Sequence, residues 1–162
     1  MITEIQINSD YMSRAREKAS SVGILQGSIT GGTRNVIGAI GEVVVADSIN
    51  ADEISTYDYD LVKDGKRIDV KTKRCNTKPL PYYECSVALH GTKQDCDTYV
   101  FVRVLSDMSK AWILGGISKQ DFYDRATLYR KGDIDQDNGF VFRADCYNLR
   151  IDKLSPIHAI QK

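Results

Sequence analysis

The chain has 162 residues, 42% of them hydrophobic, and its 22 lysines and arginines are matched by 22 aspartates and glutamates. That length and apolar share suit a single domain over residues 1–162 with a core large enough to fold without a disulfide or metal framework, and they exclude compositional disorder. No stretch approaches the roughly 18 apolar residues of a membrane span, and the start MITEIQINSD lacks the basic and apolar regions of a leader, so the expectation is a soluble, cytoplasmic protein with no membrane partner.

In chain order, Ile5 and Ile7 alternate with polar residues as in a short strand, and Ser9 or Asp10 then caps a helix running to about Val22. GILQGSITGG, with four glycines, reads as a loop. A second helix is expected from near Thr33 to about Ile49, with Ile37, Ile40 and Val44 on one stripe, although the β-branched run Val43 to Val45 works against it. The period then becomes alternating. Residues 54–62, 66–73, 82–89, 98–105 and 111–117 read as strands, with Asp64-Gly65 as the clearest turn. Ser118 with Asp121 three residues on opens a helix to about Tyr129, and residues 139–144 and 147–154 supply two further strand candidates. This order predicts a mixed α/β (α+β) domain built on one sheet with an antiparallel hairpin and flanking helices.

Cys75, Cys85, Cys96 and Cys146 form no CxxC pair and have no ligand-spaced histidines beside them, so they read as reduced thiols. Zero net charge argues against polyanion binding over the whole surface. Residues 62–79, however, hold seven basic residues and two acidic ones. With a Debye length of about 8 Å, a phosphate at this segment feels the local excess more than the distant deficit.

The hairpin carries the chemistry. A two-residue type I′ turn at Asp64-Gly65 sets Lys63 opposite Lys66, Val62 opposite Arg67, Leu61 opposite Ile68 and Asp60 opposite Asp69. Leu61, Ile68, Tyr59 and Val70 then share an apolar face, and Asp58, Asp60, Asp69, Lys71 and Lys73 share the other. Carboxylates facing each other at ~4 Å repel by on the order of 4 kcal/mol at an effective dielectric near 20, so a cation is expected there. Lys71 falls opposite Asp58 and cannot neutralise the whole cluster. A hard divalent ion, Mg²⁺ or Mn²⁺, suits such oxygen ligands.

Glu42 after Gly41 on a helix, then Asp60, then Asp69-x-Lys71 across a hairpin resembles the PD-(D/E)XK nuclease superfamily, the restriction-endonuclease-like phosphodiesterases. The resemblance covers residues 36–102; Tyr59 stands where that pattern has proline, and register favours Asp60 over the neighbouring Asp58 as the metal ligand. It implies a restriction-endonuclease-like fold and a metal-dependent nuclease that hydrolyses DNA. Asp60, Asp69 and the Val70 carbonyl would hold the metal, with Glu42 binding or orienting it or a second one. Lys71 would position and help deprotonate the attacking water or stabilise the phosphorane charge. Lys73, Arg74 and Lys78 would hold the DNA backbone, and a homodimer is an allowed assembly. The rival reading is a non-catalytic nucleic-acid- or protein-binding module on the same fold.

Three other signals lead nowhere. The run from Gly27 to Arg34 has Thr33 where a phosphate-binding loop needs lysine. Asp133, Asp135 and Asp137 have calcium-loop spacing, but Asn138 replaces the glycine and Ala144 the bidentate glutamate. His90 and His158 are too few and too far apart for a zinc protease or a histidine-centred triad.

Overall fold

A computed structural model describes residues 1–25, 33–135 and 139–161. The elements are β1 (Thr3–Gln6), α1 (Ser9–Leu25), α2 (Thr33–Ile49), β2 (Asp52–Glu53), β3 (Leu61–Lys63), β4 (Lys66–Cys75), β5 (Glu84–Ala88), β6 (Thr98–Leu105), β7 (Lys110–Ser118), α3 (Lys119–Arg125), β8 (Thr127–Tyr129) and β9 (Cys146–Arg150). The mixed α/β class expected from the sequence is present, but not the single sheet. Six strands run in the order β1-β7-β6-β4-β3-β2, and β5, β9 and β8 form a separate three-stranded sheet.

In the larger sheet only β4 and β6 are parallel. Side chains along β6 alternate between two cores. Val100, Val102 and Val104 face a cluster with Ala15, Ile40, Val44, Ile68 and Val70, and Tyr99 and Phe101 face another with Val87, Trp112, Phe122 and Leu149. A strand buried on both faces is a near-continuous apolar run, which is how TYVFVRVL reads.

The cap of α1 lies one residue before the expected positions, since Asn8 Oδ1 accepts from the Tyr11 amide at 2.9 Å. Helix α2 has the expected bounds despite its β-branched run, because Val43, Val44 and Val45 are all buried and packing outweighs propensity. Asn50, at φ 52°, stops it, and the Ala51 amide closes back on the Ala46 carbonyl at 2.9 Å. The glycine-rich loop after α1 lies largely outside the described residues, as does Asp137.

The strand expected over residues 54–62 is realised only in β3, and β2 pairs with it from upstream. The alternating Tyr-Asp-Tyr-Asp stretch instead folds on itself. The Asp60 carbonyl accepts from the amides of Ile54 and Ser55 at 2.8 and 3.0 Å, and Thr56 Oγ1 donates to the Tyr59 carbonyl at 2.9 Å. Tyr59 consequently packs with the second core, not beside Leu61, Ile68 and Val70. Ser118 caps α3 as expected, its Oγ accepting from the Asp121 amide at 3.1 Å. The helix ends at Arg125, because Thr127–Tyr129 pairs with β9. Residues 139–144 give an isolated bridge, Ile134 to Val141, in place of a strand, and residues 151–153 form a 3₁₀ turn after β9.

Candidate active site

The hairpin register is the one the turn demands: Lys63 opposite Lys66, Val62 opposite Arg67 and Leu61 opposite Ile68, with Asp64 and Gly65 both at positive φ. Ladder pairing stops there. Asp60 precedes β3 and donates its amide to the Ile68 carbonyl at 2.9 Å, so it does not occupy a regular pair with Asp69. Beyond Ile68 the β3 side of β4 is a notch, and the Asp60 carboxylate fills part of it by accepting from the Val70 amide at 2.7 Å. The amide and carbonyl of a strand residue point to the same side, so the Val70 carbonyl faces this notch as well.

Glu42 reaches the notch from the helical layer. Gly41 makes that possible, since a Cβ at this position would lie 1.9 Å from Thr72 Oγ1 on β4. Helix and strand therefore touch backbone to side chain, and the next residue, Glu42, is delivered to the strand edge. Its Oε2 is 2.6 Å from Lys18 Nζ, which also meets Glu53 Oε1 at 2.7 Å. Burial pulls the Lys18 ammonium pKa down, but those two carboxylates more than offset it and leave it raised.

Asp69 enters from the opposite face of β4 and is 4% exposed. Its Oδ2 lies 2.8 Å from Lys71 Nζ, and its Oδ1 accepts from Gln94 Nε2 at 3.2 Å. Gln94 Oε1 accepts from Lys71 Nζ at 2.8 Å, and Gln94 Nε2 also donates to the Tyr57 carbonyl at 2.9 Å. One amide thus holds both Asp69 and Lys71. Lys71 Nζ also stands 5.8 Å from the centre of the buried Tyr99 ring.

Glu42 and Asp69 lie near enough to Asp60 for their charges to act on its carboxyl. Burial first, then the charges of Glu42 and Asp69 and a hydrogen bond with Glu42, raise the Asp60 carboxyl to about 8, against the lowering effect of the Val70 amide. Burial and the neighbouring acids thus favour the protonated form of Asp60. Asp58, two residues earlier, is committed elsewhere, its Oδ1 accepting from the Asp95 amide at 3.1 Å.

Of the three basic residues expected to follow the site, only Lys73 shares the face of Lys71. Arg74 alternates to the other face and reaches the Ser106 carbonyl at 3.4 Å, and Lys78 is exposed beyond the end of β4. His90 and His158 are exposed, and the four cysteines are free thiols. Sequence reasoning missed Lys18, Glu53 and Gln94. Nothing local marks them, because each reaches the site only through tertiary packing.

Among the described residues no group of three or more His, Cys, Asp and Glu side chains has the spacing to hold a metal as it stands. No described helix is long and apolar enough to cross a membrane. No protein-family model matches the chain, and no curated protein is similar to it in sequence.

Proposed function

We propose that the protein is a divalent-metal-dependent nuclease of restriction-endonuclease-like fold that hydrolyses DNA phosphodiester bonds at Glu42, Asp60, Asp69 and Lys71. The observation that carries this reading is the Asp60 carboxylate on the Val70 amide at the edge of β4, near enough to Glu42 and Asp69 for their charges to act on it, with Lys71 paired to Asp69. The donor chemistry suits Mg²⁺ or Mn²⁺. Glu42 Oε2 and Asp69 Oδ2 are sealed from solvent without an aligned hydrogen bond, each meeting only a lysine charge, and the Val70 carbonyl supplies a neutral oxygen on the same edge. Asp60, Asp69 and Val70 would hold the ion, with Glu42 binding it or a second one. Once bound, such an ion polarises a phosphoryl oxygen and acidifies a coordinated water.

The chain's own groups supply the rest. In hydrolysis a water oxygen bonds to phosphorus, a P–O bond breaks, and the departing oxygen takes up a proton. Lys71, held by Asp69 and Gln94, would stabilise the negative charge that builds on the phosphoryl oxygens. Deprotonating the water instead would require its neutral form. Asp60, whose carboxyl pKa is raised by burial, would have to be ionised to ligate such an ion, so binding would release a proton.

One observation favours the rival reading of a non-catalytic binding module: Glu42 is paired with Lys18 and Asp69 with Lys71. Titrating Mg²⁺ and Mn²⁺ against plasmid, linear duplex, single-stranded and branched DNA separates the two. The nuclease reading expects cleavage that EDTA stops and Asp69→Asn abolishes. Binding without cleavage across all four substrates would leave the module.

A further inference from the structure

Lys71 does not end the polar face of β4. Two residues on, about 6.7 Å along the strand, Lys73 opens onto a cleft of about 720 Å³ between the large sheet and the β5-β9-β8 sheet. Lys73 is in register with Arg103 on the parallel neighbour β6, so two cations sit side by side at a backbone spacing of about 4.8 Å.

This pair differs from the other basic clusters of the molecule. Arg14 is matched by Asp47, Lys18 by Glu42 and Glu53, Arg67 by Asp95 and Asp97, and Arg130 by Asp145. Among the described residues, neither Lys73 nor Arg103 has a carboxylate partner; Arg103 Nη2 donates only to the Glu84 carbonyl, at 2.7 Å. Burial lowers the Arg103 guanidinium pKa, and Lys73 beside it is exposed. The cleft is also lined by Arg143 and by Glu84, Asp135 and Asp145, but among the described residues no carboxylate pairs with Lys73 or Arg103, and a guanidinium beside an ammonium suits a phosphate.

The rest of the cleft suits what a phosphate carries. Tyr82 and Phe140 line it at 59% and 51% exposure, presenting ring surface to solvent. Tyr83 braces Tyr82 edge-on at 5.1 Å. On the wall Glu84 Oε2 accepts from Asn148 Nδ2 at 2.9 Å, which places a carboxylate and an amide where a base edge could be read. A duplex hides its base faces in the stack, whereas an unpaired nucleotide offers them for stacking on aromatic rings.

We propose that this cleft binds an unpaired nucleotide of a single strand, with Lys73 and Arg103 on its phosphate and Tyr82 and Phe140 against its base. Its placement next to the scissile phosphate rests on the nuclease reading; the binding itself does not. The preferred substrate is then single-stranded DNA or a single-stranded branch, entering one nucleotide from Lys71.

The test is binding of the full chain in EDTA, by fluorescence anisotropy, to labelled dT12, to a 12-base-pair duplex and to AMP as competitor. The single strand is expected to bind at least about 10-fold more tightly than the duplex. Tyr82→Ala and Phe140→Ala, at exposed positions that spare the fold, should each weaken dT12 binding about 10-fold, in line with the loss of one stacked base. Lys73→Ala should reduce the slope of log affinity against log salt by about 0.7. Equal affinity for strand and duplex, or unchanged affinity in both aromatic variants, would overturn the proposal. AMP binding as tightly as dT12 would also overturn it, by making the cleft a mononucleotide site. Because no metal is present, a protein that binds this way but cleaves nothing retires the nuclease reading alone.

Discussion

The two faces of β4 divide the work of the molecule. Ile68, Val70 and Thr72 face the helices, where Ile40 and Val44 press against them and Gly41 leaves no room for even a methyl group. Asp69, Lys71 and Lys73 face the other way, into Gln94, Tyr99 and the cleft. Period-two alternation puts a closed apolar surface and an open polar one within a single residue of each other. The closed face holds the strand still, so the open face can keep like charges close together.

The widest separation between the faces should appear in activity. Asp69→Asn and Lys71→Ala should each reduce metal-dependent cleavage by on the order of 10³-fold. Their effects on DNA affinity in EDTA should have opposite signs: Asp69→Asn preserves or tightens binding by removing a negative charge near phosphate, and Lys71→Ala weakens it. Cleavage that survives Asp69→Asn would remove the site from this face.

The next largest effect concerns pH and needs no substrate. Asp60 holds its proton up to about pH 8 when folded, against 3.8 for an unperturbed aspartate. Between those values the folded chain binds the proton and the unfolded chain does not, so stability falls as pH rises from about 4 to about 8. Asp60→Asn keeps an acceptor for the Val70 amide but has nothing to titrate. In EDTA its melting temperature should overtake that of the parent progressively across this range, with a gain on the order of a few kcal/mol at pH 8.5. Parallel melting curves from pH 5 to 9 would show that the acids are not crowded as described.

On the closed face, Gly41→Ala should cost ~1 to 3 kcal/mol in urea denaturation, because the added carbon meets Thr72. Adding Thr72→Ala should recover part of that loss, a coupling that two independent sites would not show. The smallest contrast is between adjacent cations. Lys73→Ala should weaken DNA binding several-fold, while Arg74→Ala, on the other face beside Ser106, should stay within about two-fold, measured at one salt concentration.

Much of this was legible because it is local. The Asp64-Gly65 turn sets the hairpin register, and alternation marks β4 and β6. With the register in place, Asp60, Asp69 and Lys71 fall near one another. Glu42 is readable only by its resemblance to a known pattern, since nothing about a helical glutamate says which strand it will meet. Gln94 is invisible for the same reason, its partners Tyr57, Asp69 and Lys71 lying 23 to 37 residues away. Residues 54–60 mislead because their alternation is real but their hydrogen bonds close within the loop. The second sheet was missed because β5, β8 and β9 pair only with one another, and alternation alone does not name a partner.

The large sheet also has an unusual distribution of unpaired backbone. Its outermost strands are poor templates for a foreign strand: β2 is two exposed acidic residues, and β1 is four residues with Glu4 and Gln6 turned to solvent. The more inviting backbone lies inside the sheet, where β3 stops and the longer β4 runs on paired only with β6. The Asp60 carboxylate occupies that opening by taking the Val70 amide. The Asp60 side chain therefore acts as a gatekeeper, denying an intruding strand its first hydrogen bond at this edge.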